Sequence, residues 1–195
     1  MAERSPLGSK ELFDKIAALS GDAVSGYTDQ GTKDPYFLVA ADRWPTVAQT
    51  LKTHSDLAFD FLNCMTAVDW IKQNKMQVVY HLYSYRHGHS AVVKIDLPRD
   101  NPEVPSACGV WKAANWLERE QYDLLGVSFT GHPDLRRLLM PDDWVGFPMR
   151  KDYKEAPKYR DMPTTRPSTF DLLIAYDKAH GVAASTPTKK PGENK

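Results

Sequence analysis

Met76-Gln77-Val78-Val79-Tyr80-His81-Leu82-Tyr83-Ser84-Tyr85-Arg86-His87-Gly88-His89-Ser90-Ala91-Val92-Val93-Lys94-Ile95-Asp96-Leu97 is the stretch whose reading decides the fold. Val78, Tyr80 and Leu82 alternate with Val79, His81 and Tyr83, the period of two that sends successive side chains to opposite faces of a strand. Arg86 to Ser90 turns the chain, and Ala91, Val93, Ile95 and Leu97 then alternate with Val92, Lys94 and Asp96. A long β-hairpin is predicted.

Toward the N-terminus the period changes. Leu12, Phe13, Ile16 and Leu19 recur at helical spacing, with Ser9 placed to cap the start and Gly21 to end the turn. Val24 to Thr28 and Tyr36 to Ala40 are short β-favouring runs around the turn-rich Asp29 to Pro35, a second hairpin. Trp44-Pro45 with Val47, Ala48 and Leu51 gives a second helix, ending near His54. On the other side, Pro98, Pro102 and Pro105 argue against regular structure until Ser106 opens a helix that Gly126 closes. The order predicts an α+β fold, with helices packed on a mostly antiparallel or mixed β-sheet. That domain is assigned residues 1–153. Residues 154–195 carry Pro157, Pro163, Pro167, Pro187 and Pro191 among polar residues and are apolar only from Phe170 to Tyr176. They read as an extended, partner-binding tail whose last residues are disordered, because such a segment cannot by itself offset its ordering entropy.

Composition excludes several classes of function. The 195 residues hold 25 Lys+Arg against 25 Asp+Glu, so no net field attracts nucleic acid or an anionic membrane. No run approaches the roughly 18 apolar residues of a membrane helix, and Met1 to Lys10 lacks the apolar core of an export signal. With only Cys64 and Cys108, the chain cannot offer four thiolates to an iron–sulfur cluster or a zinc site. Cys64 reads as a small buried hydrophobe. No phosphate loop, dinucleotide fingerprint, GxSxG or HExxH occurs. Tyr83 and Tyr85 share a strand face, but no RNA-binding signature flanks them.

Laid out at 100° per residue, the segment from Val110 to Leu125 turns Val110, Ala113, Ala114, Leu117 and Leu124 toward the core. Arg119 and Asp123 share the outer face, about 40° apart, where they can pair. Glu120 falls about 60° from the centre of the apolar stripe and needs a partner. Glu118 or Glu120 with His132 would suit acid–base catalysis, although the sequence does not fix their separation. His87 and His89 flank Gly88 without further ligands and read as a hairpin tip, and His81 as a hydrogen-bonded strand histidine. His132-Pro133-Asp134 reads as a turn.

At this helix a family resemblance becomes specific. Glu118-Arg119-Glu120-Gln121-Tyr122-Asp123-Leu124-Leu125, then six residues to His132, Arg136 and Leu138-Leu139, resembles the signature of the thirty-kilodalton subunit family of respiratory complex I. Ala67-Val68-Asp69-Trp70, Tyr80 to Ser84, Pro102 to Ser106, Trp111 to Trp116, Gly131 to Arg137, Trp144 to Pro148 and Arg150 to Tyr153 are similar in type and order, so that roughly residues 35 to 153 are covered. The resemblance implies a subunit of the hydrophilic arm of a proton-translocating NADH:quinone oxidoreductase, peripheral on the cytoplasmic side of a bacterial inner membrane. It implies packing chiefly against the forty-nine-kilodalton (D) subunit, with the B and I subunits nearby. FMN and iron–sulfur centres would lie in partner chains, with no cofactor, metal or catalytic residue here. Glu118, Arg119, Glu120, Asp123, His132, Arg136 and Arg137 would be structural and interface groups, and Tyr159, Phe170 and Tyr176 would anchor the tail on the forty-nine-kilodalton neighbour. The equivalent subunit of a membrane-bound nickel–iron hydrogenase or ferredoxin-fed complex, and an independent soluble enzyme using Glu118, Glu120 and His132, are the alternatives.

Overall fold

The expected hairpin is the middle of the sheet. In the computed structural model, which describes residues 7–31, 33–164 and 169–180, strands β4 (Lys75–Tyr83) and β5 (Ser90–Pro98) pair antiparallel from Lys75 opposite Pro98 to Tyr83 opposite Ser90. Strand β1 (Val24–Thr28) pairs with β2 (Tyr36–Val39) as the second hairpin, and β2 joins β5 in parallel. Strand β3 (Phe61–Trp70) lies antiparallel on the other side of β4, so the mixed five-stranded sheet has the order β1-β2-β5-β4-β3. The alternation argument alone does not yield β3. A register shift between Leu62 and Cys64 breaks its period, and Cys64 is exposed there, not buried as expected.

Helices α1 (Ser9–Ser20) and α2 (Trp44–Thr53) cover one face. Gly8, not Ser9, precedes the first turn of α1, and its N–H donates to the Glu11 carboxylate at 3.1 Å. Leu12, Ile16, Trp44, Val47, Ala48 and Leu51 are buried with Met76, Val78, Tyr80, Leu82, Val93, Ile95 and Leu97, the residues that the two periodicities select. Trp44 packs at 4.4 Å from the Tyr80 ring and 6.1 Å from Trp111, whose indole N–H donates to the carbonyl of Phe59. On the opposite face Tyr36, His81, Tyr83 and Lys94 are only half-buried and Trp70 is exposed.

The prolines do not exclude structure as expected. Strand β6 (Glu103–Pro105) pairs in parallel with β7 (Ser128–Thr130), and Pro105 is tolerated as the last residue of this short strand. Helix α3 (Ala114–Leu125) begins eight residues after Ser106, because residues 107–113 form turns in which the N–H groups of Val110 and Trp111 both donate to Ala107.

The chain divides after Tyr153 into two compact units. In the second, β8 (Lys158–Tyr159) and β9 (Met162–Pro163) form a minimal hairpin through Arg160 and Asp161, both at positive φ, and Thr169–Ala179 is a helix, α4. The extended tail is thus corrected: its apolar patch from Phe170 to Tyr176 is helical. A proline-rich composition hides one proline-free helical stretch. The expected disorder of the last residues falls on 181–195, outside the described residues.

Candidate interaction surface

Two sides of α3 are buried, for different reasons. Toward the domain, Ala114, Glu118, Gln121 and Leu125 are buried, and Gln121 accepts at 2.9 Å from the N–H of Ala67 on the edge strand β3, occupying a donor that would otherwise await another strand. Leu117, Leu124 and Glu120 are half-buried and Ala113 is exposed, so the core-facing stripe lies further toward Glu118 than the wheel indicates. Glu120 accepts from the Gln121 amide at 3.4 Å and has no cationic partner among the described residues.

The other side corrects the expected solvated Arg119–Asp123 pair. Asp123 is fully buried and accepts from the N–H groups of Leu138 (3.0 Å), Leu139 (2.6 Å) and Met140 (2.8 Å) and from Arg137 Nη1 (2.8 Å). Arg119, also buried, donates weakly to the carbonyl of Arg136 at 3.4 Å and lies over the Trp116 ring. The helical wheel is sound in placing these residues away from the core. It cannot show that the chain's own segment 134–150 returns to cover them.

That segment contains turns but no helix or strand, and buried charge holds it. Arg137 donates from Nη2 to the carbonyls of Trp144 and Gly146, both at 3.1 Å. Arg150 donates to the carbonyl of Leu125 at 2.7 Å, and the Met149 N–H to that of Leu124 at 3.0 Å. The Phe147 ring meets both guanidinium groups, that of Arg137 at 5.5 Å and that of Arg150 at 5.0 Å. Behind it Arg99 donates to both oxygens of Asp69 (2.7 and 2.9 Å) and to both of Asp152 (2.5 and 3.1 Å), while the Lys151 N–H donates to Asp69. Hydrogen bonds from Arg99 hold the Asp69 carboxyl below its ordinary value against the effect of burial. For Asp123, burial alone would raise the pKa, but the converging N–H groups and Arg137 outweigh it and the net direction is down.

Gly126 makes the close approach possible. It ends α3 at φ +74°, and a Cβ there would lie 2.5 Å from the Phe147 ring. So braced, the segment presents Leu139, Val145 and Met149 to solvent, Val145 at 82% exposure, and α3 presents Trp116.

The remaining expected site residues fall as follows. Arg136 is exposed and pairs with Asp134 two residues away. His132 is half-buried: its Nδ1 accepts from the Asp134 N–H at 3.0 Å, which leaves Nε2 to donate to the carbonyl of Asn115 at 3.2 Å. Glu118 is fully buried and accepts from Ser106 Oγ (2.5 Å), the Ala107 N–H (2.6 Å) and the Cys108 thiol (3.4 Å). The separation that the sequence leaves open is therefore short, for Cys108, Glu118 and His132 each bring a donor atom within 4.8 Å of the others. Burial pushes the Cys108 thiol up to about 11, the reverse of the activation a nucleophilic thiolate needs, and raises Glu118 as well. Tyr159 is half-buried beside Arg160, Tyr176 is exposed and stacks on His180, and Phe170 lies in α4 with its side chain outside the described residues. His87 and His89 do stand at the hairpin tip, between β4 and β5, but they are buried there, stack on each other and reach the carbonyls of Ser55 and Leu57, both at 2.8 Å. Sequence reasoning misses the clamp on Arg99, although its two carboxylates stand in family-like stretches, Ala67 to Trp70 and Arg150 to Tyr153.

Fold and surface together define an α+β protein whose buried acids and arginines brace a surface segment. The chain belongs to the family described as the respiratory-chain NADH dehydrogenase 30 Kd subunit, whose model matches residues 37–159. It is 41% identical over 148 residues to the C subunit of the NADH-quinone oxidoreductase of Chlorobium phaeobacteroides, covering 75% of this chain and 89% of that protein. It is 38% identical over 146 residues to the C subunit of the F(420)H(2) dehydrogenase of Methanosarcina mazei, covering 73% and 91%. Among solved structures, a trypsin-resistant fragment of Nqo5 matches with a TM-score of 0.53 and 26% identity, covering 65% of this chain and 98% of the fragment. A chain of an archaeal membrane-bound sulfane sulfur reductase shares the fold, with a TM-score of 0.65, 23% identity and coverage of 95% and 98%.

Proposed function

We propose that this chain is a non-catalytic structural subunit of the hydrophilic arm of a proton-translocating NADH:quinone oxidoreductase, docked chiefly on the forty-nine-kilodalton (D) subunit and near the B and I subunits. The observation that carries this reading is where the family signature spends its charge. Asp123 and Arg137 are occupied with backbone groups of residues 138–146, while Leu139, Val145 and Met149 face outward among exposed charges. An ordered apolar patch above desolvated arginines is the composition of a protein interface. In this reading electrons pass from NADH through FMN and iron–sulfur centres to quinone entirely in other chains. The subunit sits at the cytoplasmic face of a bacterial inner membrane through its partners; among the described residues no helix is long and apolar enough to cross a membrane.

The second unit supplies another anchor. Leu172, Leu173 and Tyr176 are exposed on α4, and an eleven-residue helix is marginal in water unless its apolar side is covered. A chain ending at Tyr153 is expected to stay folded yet to be nearly absent from the purified complex, measured as occupancy after affinity isolation from gently solubilised membranes. Wild-type occupancy of the truncated chain would overturn the role given to the tail. The likeness to part of an F(420)H(2) dehydrogenase supports a second reading, the same structural task in a related membrane complex with another electron donor. The partner chains recovered in the same isolation separate the two readings.

A further inference from the structure

Three carboxylates are buried among the described residues, and they are not treated alike. Asp69 is paired with Arg99 and Asp123 with Arg137. Glu118, with no exposed surface, receives only neutral donors: the Ser106 hydroxyl, the Ala107 N–H and the Cys108 thiol. His132 beside it uses its ring nitrogens on the Asp134 N–H and the Asn115 carbonyl, so neither is hydrogen-bonded to Glu118. A buried carboxylate with no lysine or arginine ion pair among the described residues lies beside two further metal-ligating side chains, and their donor atoms are within 4.8 Å of one another.

We propose that Cys108, Glu118 and His132 form a binding site for a divalent metal ion of the zinc type. Thiolate, imidazole and carboxylate are the ligand set a borderline-soft ion takes, and four-coordinate zinc needs bonds of only about 2.0–2.3 Å, so the three donors close in by about an ångström around it. They come from the turn after β6, from α3 and from the turn after β7. Cys108 and His132 are half-exposed, which gives an entry path and leaves water the fourth position. Binding displaces the Cys108 proton, and it costs His132 one ring hydrogen bond, to the Asp134 N–H or to the Asn115 carbonyl. The ion gives Glu118 the positive charge that Arg99 and Arg137 give the other two acids, and it ties α3 to the turn that leads into segment 134–150. The site stands on this chain alone, whatever complex the chain serves.

The test is cobalt titration of the purified full-length chain after chelator treatment, followed by zinc competition. One Co2+ per chain is expected, with a thiolate-to-metal charge-transfer band that zinc abolishes, and a rise in Tm when zinc is added. Cys64→Ser should keep the band, whereas Cys108→Ser should lose it and bind zinc about a hundredfold more weakly, with His132→Gln also weakened. Glu118→Gln separates the site from a structural acid. If Glu118 is only a buried protonated acid, this variant keeps the wild-type metal affinity, and that result overturns the proposal. A chain without the band, or a band that survives in Cys108→Ser, overturns it equally.

Discussion

Asp123 replaces, with one carboxylate, the partners that three successive N–H groups and a guanidinium would otherwise have sought in water. Removing its charge strands Arg137 in a half-buried position, so Asp123→Asn is expected to destabilise the chain by about 3–5 kcal/mol in urea unfolding. Arg136→Ala, which breaks only an exposed contact with Asp134, should shift the same midpoint very little. A small effect of Asp123→Asn would show that segment 134–150 is held by its apolar contacts instead. The sign of the pH dependence follows from the lowered carboxyls. Asp69 and Asp123 titrate below their unfolded value of about 3.9, so their contribution is complete above that pH and is lost as pH falls through their folded values. Melting curves between neutral pH and pH 2 should therefore fall less steeply for Asp123→Asn than for wild type. The sequence marks Asp123 and Arg137 as important but mispairs Asp123 with Arg119. A wheel knows only angles within its own helix, and Arg137 arrives from fourteen residues further on.

Elements are legible where a period is long and unbroken. The β4–β5 hairpin and helices α1 and α2 can be read with their core faces, because Val78, Tyr80, Leu82, Ile16 and Trp44 stand at positions only those periods explain. Strand β3 escapes because its bulge near Cys64 shifts the alternation by one residue. The start of α3 is misplaced because Ser106, a good helix cap by type, uses its hydroxyl on the Glu118 side chain and its N–H on the carbonyl of Thr130. Helix α4 is hidden by the prolines around it. The junction after α3 gives a prediction at this scale. Gly126→Ala meets both the positive φ and the Phe147 ring and should cost about 2–4 kcal/mol in denaturant unfolding, whereas Gly131→Ala, at φ +78° in open space, should cost about 1 kcal/mol. Equal costs would mean that the Phe147 ring moves aside freely.

As a whole molecule, the domain uses polar groups to fix shape and leaves apolar ones exposed, which the proposed role assigns to a partner. Since 25 cations balance 25 anions, association with that partner should depend weakly on ionic strength. The association rate measured by surface plasmon resonance is expected to change less than about threefold between low and physiological salt, where a charge-steered encounter would change more. The clamp on Arg99 also sets a clock on biosynthesis. Asp69 and Arg99 can meet early, but Asp152 is translated 53 residues after Arg99, a delay of several seconds at about 5–20 residues per second. Until then the clamp on Arg99 is incomplete, so the last tie that closes the surface behind Val145 is added only when synthesis has passed Asp152.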